Sequence, residues 1–396
     1  MVAAQPKQPV YDFDVLADPL MAEDVLEGYV ALKAKAPPFF WTPRNGGHWV
    51  SLASSDVLHV MQHPEIFSSR QMTVPANPDG PAMIPLTLDP PEHKKYRQFL
   101  RPWFESSAIA AREPLVTGWA SHYVESLAPR GACEFVADAA SRFPVSVFME
   151  MFGLPLERID EFRDVMSAFF LNGETDDRQA SSDQITAIVA EMIHARTAQP
   201  RDDLLSELIT ADFEGRTLSF GETVSISFLM FLAGLETVSH AMSFGFRHLA
   251  QNPAQQQQLI DNPAPIPAAV EELMRRYSFV AVARQCVADT EIAGITVRAG
   301  EMVHCAINLV GMDETLNPDP ELVDFERPRC RHAGFGNGVH TCLGIHLARL
   351  ELRTFLQLWL TRIGPFRLAA DAPKTPMRGG TVMALSSLAL EWDVRG

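Results

Sequence analysis

The sequence contains no pair of cysteines at the spacing of a metal-binding knuckle or a redox motif. Its five cysteines are scattered, and an odd number cannot form a complete set of disulfides. This usage is typical of a reducing compartment and excludes a fold held together by disulfide bonds. It also leaves the chain without the cluster that an iron–sulfur centre needs. The five are Cys133, Cys286, Cys305, Cys330 and Cys342.

Long apolar runs and positive charge are also lacking. Residues 1–15 contain no apolar stretch of the kind that begins a secreted protein, and the most apolar internal run, 226–235, is too short to cross a bilayer. The formal net charge of −16 argues against binding to nucleic acid or to anionic lipid. We therefore expect a cytoplasmic protein.

No repeat, low-complexity tract or Gly/Ser-rich linker divides the 396 residues. A hydrophobic fraction of 47% with 21% charged residues is typical of a folded globular protein. We expect a single domain over residues 1–396, with a mobile N-terminal segment at 1–15.

Helical patterns dominate what is present. Ser219 and Glu222 form a capping-box pattern, and the helix predicted after them runs to about Gln251, roughly 50 Å long. Its middle is apolar on every face, which indicates a buried central helix. A second helix follows Cys342, with leucines on one face. Strand patterns are few and short (48–52, 291–297 and 382–390), so the expected fold is mainly α with a minor β portion.

The segment FGNGVHTCLG, residues 335–344, has the features of a loop that holds a thiolate. Gly336, Gly338 and Gly344 permit positive φ angles and close backbone approach, and Phe335 can cover one side. Cys342 then precedes a helix, whose N-terminus favours an anion. Two other interpretations stay open at this point. A lone cysteine is most often a small hydrophobic residue, and His340, Cys342 and His346 could bind zinc, although a fourth ligand is missing.

This loop resembles the haem-binding loop of the cytochrome P450 family, and further family motifs follow in the expected order. The resemblance is closest to camphor-type monooxygenases, through the stretches PAAVEELMRRYS and CLGIHLARLELR. It implies the P450 fold, with a long central helix over a buried haem b, and a monomeric enzyme. The other motifs are Asp89–His93 with Arg97, Ala233–Thr237, Glu272–Arg275 and Phe325–Pro328.

The resemblance implies that Cys342 is the axial ligand of the iron. Thiolate ligation pushes electron density onto iron and favours cleavage of the O–O bond. Haem propionates are carboxylates, and buried carboxylates need charge-assisted donors. The other residues expected to bind the cofactor are His93, Arg97, Arg284, Phe335, Gly336, His340 and Gly344.

By the same resemblance, Glu236 and Thr237 deliver protons to bound dioxygen, and Gly234 allows the central helix to open locally. Most relatives carry Asp where Glu236 stands, so the carboxylate is kept but lies one methylene further out. From the residues alone, Thr237 could instead bond to a carbonyl one turn earlier, and Glu236 could belong to a buried ion pair.

Three further residues, Glu272, Arg275 and Arg327, are expected to be structural rather than catalytic. Taken alone, Glu272 and Arg275 are three residues apart on a helix and could be an ordinary surface pair. The resemblance makes them, with Arg327, a buried ion-pair cluster beneath the haem.

Alignment of the motifs predicts a small, nearly apolar substrate pocket. Each lining residue, considered alone, would be assigned to the core. Camphor-hydroxylating relatives have a Tyr in the loop before Asp89 and an Asp two residues before Arg284; here no Tyr is present and Val282 replaces the Asp. We therefore expect a compact terpenoid, such as 1,8-cineole or ionone, rather than camphor. The expected lining residues are Met83, Leu229, Leu232, Ala233, Val280, Val282, Thr381 and Val382.

The chain has no flavin or dinucleotide fingerprint, so its electrons must come from another protein. The resemblance implies a [2Fe–2S] ferredoxin with an NADH-dependent reductase, and clustered basic residues could attract an acidic partner. A peroxide-driven peroxygenase and a haem-thiolate sensor without turnover are the alternatives, and the Glu236–Thr237 pair disfavours both. The basic residues are Lys94, Lys95, Arg97, Arg101, Arg327, Arg329 and Arg331.

Overall fold

The structure is a computed structural model that describes residues 8–171, 176–371 and 377–394. Helices dominate it, as the apolar periodicity predicts. The α-helices are α1 Val25–Lys35, α2 Ser54–Gln62, α3 Glu92–Phe104, α4 Ser106–Ala110, α5 Glu113–Leu127, α6 Phe143–Phe152, α7 Ile159–Leu171, α8 Asp176–Ala198, α9 Leu204–Thr210, α10 Phe220–Leu235, α11 Thr237–Gln251, α12 Pro253–Asp261, α13 Ile266–Arg276 and α14 Ile345–Arg362.

The strands are short, and the largest sheet has the order β1-β2-β8-β5-β3. The fold class, mainly α with a minor β portion, is confirmed, and so is the strand predicted at 48–52. The stretch 291–297 is instead divided between two strands of a hairpin, and 382–390 contains parts of two strands in different sheets. The strands are β1 Phe39–Thr42, β2 His48–Ser51, β3 Phe67–Ser68, β4 Ala132–Glu134, β5 Val282–Cys286, β6 Thr290–Ile292, β7 Ile295–Val297, β8 Met302–Cys305, β9 Phe366–Leu368, β10 Met377–Arg378, β11 Ala384–Leu385 and β12 Ala389–Trp392.

The capping box at the start of the central helix is confirmed. The Glu222 amide donates to Ser219 Oγ at 3.3 Å, and the Ser219 amide donates to Glu222 Oε2 at 2.7 Å. The same carboxylate accepts hydrogen bonds from Arg216 and from the Tyr96 hydroxyl. The Arg216 contact is the main reason why the pKa of Glu222 lies well below its usual range. Glu222 therefore ties α10 to α3, which carries Tyr96.

The central helix is not continuous, contrary to the sequence prediction. Helix α10 ends at Leu235 and α11 begins at Thr237, with Glu236 between them at φ −119° and ψ −31°. The Thr237 hydroxyl donates to the Ala233 carbonyl oxygen at 2.9 Å, and such back-bonding bends helices. Residues 220–251 together are long and apolar enough to cross a membrane, but 61% of the most apolar window is buried inside the protein. Core helices of folded proteins meet the same criterion.

Of the N-terminal segment 1–15, which was expected to be mobile, residues 1–7 lie outside the described residues, and part of 8–15 packs on the sheet. The Tyr11 amide donates to the Trp41 carbonyl oxygen at 3.0 Å. Phe13 is fully buried, with its ring edge against Phe40. Burial of the Phe13 ring stabilises the packed conformation of this segment, and the composition of the stretch alone did not indicate it.

Two helix contacts position the residues of interest. Helix α14 begins just after Cys342 and packs against α5 and α13, with Leu347 and Leu350 on its buried face as predicted. Helix α10 packs against α6, where an added Cβ at Gly234 would overlap the ring of Phe148. Glycine at this position is therefore required by helix packing, whatever its part in local opening of the helix.

Candidate active site

The loop before α14 holds the sulfur of Cys342 with backbone groups. The Cys342 amide donates to the Phe335 carbonyl oxygen at 2.8 Å, and the Gly344 amide donates to the sulfur. The side chain has open space beside it, yet burial by the surrounding protein raises the pKa of its thiol. A sulfur that faces an enclosed space inside the protein accounts for both observations.

Two of the three glycines have the expected positive φ, and one does not. Gly336 has φ +76° and Gly338 has φ +69°; an added Cβ at Gly338 would also overlap the carbonyl oxygen of Met61. Gly344 has φ −83°, because it is the N-cap residue of α14. Its contribution is the amide directed at sulfur. Within the described ranges no three His, Cys, Asp or Glu side chains are grouped to hold a metal ion, which removes the zinc interpretation there.

The structure brings Glu272, Arg275 and Arg327 together. Arg275 donates to both carboxylate oxygens of Glu272 at 2.7 and 2.8 Å, and Arg327 Nε lies 3.0 Å from Glu272 Oε1. Arg275 is fully buried, and its remaining N–H groups donate to the carbonyl oxygens of Gly311, Pro320 and Leu322. Every charge in this cluster is thus paired and hydrogen-bonded.

A second ion-pair cluster lies next to the first and was not predicted. Glu271 accepts two hydrogen bonds from Arg349, at 2.6 and 2.7 Å, and His332 Nε2 lies 3.4 Å away. Burial alone would raise the pKa of Glu271, but the contacts with His332 and Arg349 outweigh it and hold the pKa at about 2. The Arg349 guanidinium lies 5.1 Å from the Phe335 ring centroid, so this pair supports the cysteine loop from behind.

Four predicted cofactor residues form a group of basic side chains. The His93 and His340 rings lie 4.2 Å apart, and burial together with Arg284, His93 and Arg97 lowers the pKa of His340 to about 3. Burial likewise lowers the pKa of His93 to about 4. Burial is the largest cause of both shifts, so the two imidazoles are held neutral beside the guanidinium groups of Arg97 and Arg284. The site is therefore suited to an anion.

The hydrogen bonds of this group are incomplete in the described part of the chain. Arg284 is 3% exposed and donates to the carbonyl oxygen of Ala283, while Arg97 Nη2 donates to the Thr341 carbonyl oxygen at 2.8 Å. No carboxylate in the described ranges is within ion-pair distance of either guanidinium. The buried His93 Nε2 has no partner there at all. Two propionates would supply the missing acceptors.

One face of α10 is open although most of the helix is buried. Ala233 is exposed, and Leu229 and Thr237, four residues before and after it, are half-buried. Ser225, a further turn back, accepts from the Ile84 amide at 3.1 Å and donates to the Ala82 carbonyl oxygen at 2.7 Å. Met83, between these two loop residues, is thereby held beside the same face. An exposed alanine within a core helix indicates an internal cavity.

The other expected pocket residues divide into two groups. Val280 and Val382 form a β-bridge, and the Ala281 amide donates to the Thr381 carbonyl oxygen at 2.9 Å, so the residues around 280 and 382 meet. Val282 is buried in the smaller core cluster, paired in register with Cys305 of β8. Leu232 is also buried, at 7% exposure.

The two proton-delivery candidates are adjacent but directed differently. Thr237 makes the i−4 hydrogen bond to Ala233, and Glu236 Oε2 lies 3.4 Å from His240 Nε2 and 3.9 Å from Arg378 Nη2. The contact with Arg378 joins residues 142 positions apart, and the sequence alone gave no sign of it. The two alternatives given by the residues alone are thus both present in the structure. The Thr237 hydroxyl bonds to a carbonyl one turn earlier, and Glu236 lies in a largely buried ion pair.

The predicted basic surface is smaller than the sequence suggested. Arg327 is committed to Glu272, and Arg97 points inward to Thr341. Lys95 pairs with Glu214 and Arg101 with Glu105, which leaves less charge for a partner. Three basic side chains remain exposed without an ion pair to any described carboxylate: Lys94, Arg329 and Arg331.

These features fit haem b. The sulfur of Cys342 is accessible within a loop that otherwise buries it, the basic group lacks acceptors for its buried donors, and Ala233 is exposed in the middle of a core helix. The residues that would hold the group are Cys342 for the iron and Arg97, Arg284, His93 and His340 for the propionates. When bound, haem with a thiolate ligand supplies the activation of dioxygen.

Comparison with known proteins agrees with this geometry. The family model described as "Cytochrome P450" matches residues 145–262 and 266–388. A probable cytochrome P450 127A1 of Sinorhizobium fredii is 35% identical over 90% of this chain and 87% of that protein. The solved structure of CYP101J2 is 34% identical, covers 98% of both chains and has a TM-score of 0.89. CYP101C1 is also 34% identical, covers 99% of this chain and all of its own, and has a TM-score of 0.90.

The predicted family, fold and cofactor are thereby confirmed. A bacterial P450 of this kind uses dioxygen and a redox partner, and this chain has the same fold as CYP101C1 over nearly its full length. The chain belongs to the cytochrome P450 family and is a haem-b-dependent monooxygenase similar to the CYP101 group.

Proposed function

We propose that this monooxygenase hydroxylates a small hydrophobic terpenoid, either a monoterpenoid such as 1,8-cineole or a norisoprenoid such as ionone. The observation that carries the proposal is the open apolar face of α10 at Leu229 and Ala233, with Met83 held beside it. Apolar walls bind a compact hydrocarbon skeleton by excluding water. The segment that precedes Asp89 offers no Tyr hydroxyl, so a ketone gains no hydrogen bond there.

A screen for substrate-induced spin change tests the substrate class. We expect 1,8-cineole to shift the ferric haem from low to high spin with a dissociation constant about fivefold or more below that of camphor, because a buried ketone without a hydrogen-bond donor loses roughly 1 kcal/mol. Ionone is also a ketone, so its comparison with camphor tests the fit of the hydrocarbon skeleton alone. Absorbance titrations on the loaded enzyme give the constants. If camphor binds most tightly of the three, the proposed order of substrates is wrong.

Within the site, we assign proton handling to Glu236 and Thr237. The Glu236 carboxylate can hold a proton, and the Thr237 hydroxyl can donate once it turns away from the Ala233 carbonyl oxygen. The open face at Ala233 leaves room for that rotation. The helix break at Glu236 places the two side chains at the junction of α10 and α11. A side-chain or backbone movement there breaks fewer backbone hydrogen bonds than the same movement in the middle of a continuous helix.

Replacing Thr237 with alanine should uncouple NADH use from product formation. The variant lacks the hydroxyl donor, so we expect NADH consumption to continue while product per NADH falls about tenfold or more and peroxide rises. Product, NADH and peroxide are measured in one assay with a ferredoxin system. Thr210→Ala is the matched control, because Thr210 makes the same i−4 hydrogen bond in α9. Unchanged product yield in Thr237→Ala would contradict the assignment.

We propose a [2Fe–2S] ferredoxin, reduced by an NADH-dependent reductase, as the electron donor. Lys94, Arg329 and Arg331 are exposed in a chain of net charge −16, so they form a local basic feature that suits an acidic partner. Electrostatic attraction of this kind acts mainly on the rate of association.

The rate of haem reduction by such a ferredoxin should fall as salt is added. We expect roughly a tenfold loss between low and physiological ionic strength, because screening shortens the reach of exposed charges. Arg331→Gln should slow reduction at low salt and flatten the salt dependence, whereas Arg298→Gln, on the β6–β7 hairpin, should not. Stopped-flow spectroscopy measures the rate. A rate independent of salt in the unmodified enzyme would exclude electrostatic docking.

A further inference from the structure

The carboxylate of Glu236 faces two basic side chains rather than one. Its Oε2 lies 3.4 Å from His240 Nε2 and 3.9 Å from Arg378 Nη2. The three side chains are 16%, 9% and 22% exposed, so water screens their charges only in part. Burial lowers the pKa of Arg378, and the charge of Glu236 acts in the opposite direction. This carboxylate is therefore in electrostatic contact with both groups.

The contacts with His240 are close to, but short of, complete hydrogen bonds. In the part of the chain that the structure describes, Glu236 Oε2 and both ring nitrogens of His240 are buried without a hydrogen-bond partner. A buried polar atom without a partner costs free energy that a small movement can recover. The Glu236 carboxylate thus has two nearby donors that a small side-chain movement would engage.

The length of Glu236 matters for this geometry. His240 is one helical turn after Glu236, at the i,i+4 spacing that places two side chains on one face. An aspartate at this position would end about 1.5 Å sooner, one C–C bond shorter. The distance to Arg378 is already 3.9 Å, the limit of an ion pair. The longer side chain therefore serves to reach these two groups.

Arg378 also connects the carboxylate to the expected substrate pocket. It lies in β10, which pairs with β11, and Thr381 and Val382 are in the turn between these strands. Val382 forms the bridge with Val280. One hairpin thus carries two expected pocket residues and the cation nearest to Glu236, so a shift of the hairpin moves the cation as well.

We propose that His240 and Arg378 are positioning residues that set where the Glu236 carboxylate lies relative to the Thr237 hydroxyl. The proposal rests on the proton-handling role given to Glu236 under the proposed function. His240 holds the carboxylate from the following turn of helix, and Arg378 holds it from the substrate hairpin. Neither touches the reacting atoms; each acts through Glu236.

A double-mutant cycle tests whether Arg378 acts through Glu236. We expect Arg378→Gln to lower product per NADH about fivefold in the unmodified enzyme and to have no further effect in Glu236→Gln, because contacting residues couple and independent ones do not. Arg378→Lys should restore part of the yield. Arg367→Gln is the matched control, since Arg367 is an exposed arginine of β9 paired with Glu391. The same double-mutant cycle with His240→Phe tests His240. If the His240→Phe variant does not fold, the cycle is run with His240→Gln instead.

A second readout does not depend on turnover. The C–O stretching frequency of the ferrous–CO form reports the polarity around the distal face. We expect Arg378→Gln and His240→Phe each to shift it, and we expect both shifts to vanish in the Glu236→Gln background. The dissociation constant of the substrate is measured on the same variants from the change of spin state. An unchanged constant means that a lower product yield comes from the displaced carboxylate and not from weaker substrate binding.

The outcomes separate the two proposals. If Arg378→Gln and His240→Phe have effects of the same size in both backgrounds, or no effect in either, while Glu236→Gln still lowers product yield, positioning is refuted and the role of Glu236 survives. If Glu236→Gln itself leaves yield and peroxide unchanged, its proton-handling role fails, and the positioning proposal fails with it. If Arg378→Gln and His240→Phe lower product yield in the unmodified enzyme but not in Glu236→Gln, both the proton-handling role and the positioning role are supported.

Discussion

Replacing Cys342 with serine is expected to remove the thiolate-type Soret band from the ferrous–CO spectrum and to reduce NADH-dependent product formation to background. A serine hydroxyl does not supply the electron density that a thiolate places on iron. The loop itself should survive, because its backbone contacts, from the Cys342 amide to Phe335 and at Gly338, do not involve the sulfur. The spectrum and the assay on one preparation provide the measurement.

Cys330→Ser is the matched control for this experiment. Cys330 is half-buried, and its thiol donates to the Glu271 carbonyl oxygen at 3.3 Å, a bond that a hydroxyl can also make. The control should keep the thiolate-type band and normal turnover. A thiolate-type band that persisted in Cys342→Ser would mean that another sulfur binds the iron, and the assignment of Cys342 would be wrong.

Local patterns were enough to predict the features that depend on neighbouring residues. The capping box at Ser219 and the glycine-rich loop before Cys342 are short segments whose conformation follows from their own hydrogen bonds and φ angles. The resemblance then placed Glu272 and Arg327, which are 55 residues apart and meet at 3.0 Å. No local pattern could have paired them.

Three features could not be predicted: two depend on local backbone geometry that the residue pattern does not mark, and one depends on a contact between distant segments. Gly344 lacks the expected positive φ because the helix after the loop uses it as N-cap. The Glu271–Arg349 pair spans 78 residues, and neither residue stands in a pattern that marks it. The break at Glu236 arises where a threonine side chain competes for a helix carbonyl, which helix propensity alone does not reveal.

Arginine 327 shows how one motif can support two incompatible expectations. Its sequence position placed it both in a buried ion-pair cluster and on a basic surface for a ferredoxin. In the structure its Nε lies on Glu272, and its terminal nitrogens donate to the carbonyl oxygens of Pro318, Asp319 and Leu322. A guanidinium that has four of its five donors engaged and is only 8% exposed offers little contact to a partner. In the docking proposed above, the basic contacts are therefore expected to come from other exposed residues, such as Arg331.

Replacing Glu272 with glutamine is expected to lower the free energy of unfolding by about 3–5 kcal/mol, since removing one partner of a buried pair strands the other charge. Arg275 is fully buried and would lose both carboxylate contacts. Urea unfolding at neutral pH, followed by circular dichroism, measures the change. Arg327→Gln, at the rim of the cluster, is the milder variant if Glu272→Gln does not accumulate as folded protein.

The matched control is Glu161→Gln, which breaks a Glu–Arg pair at the same three-residue spacing but at the surface, with Arg158. Water screens that pair, so its loss should cost less than about 1 kcal/mol. A cost for Glu272→Gln as small as that of the control would mean that the buried cluster does not hold α13 to the segment around Arg327.

The buried cluster around Glu272 should also make the free energy of unfolding of the unmodified protein depend on pH in the acid range. Burial would raise the pKa of Glu272, but hydrogen bonds from Arg275 and the Asp324 amide, with Arg327, outweigh it and hold the pKa below its usual value. A carboxyl group with a lowered folded-state pKa stabilises the fold above its unfolded pKa, near 4.3, and this contribution is lost as pH falls towards the folded value. Unfolding free energy should therefore decline below about pH 5 in the unmodified protein. Glu272→Gln should show a shallower decline, because the group that titrates has been removed, and an equally steep decline in both would assign the acid sensitivity to other carboxylates such as Glu271.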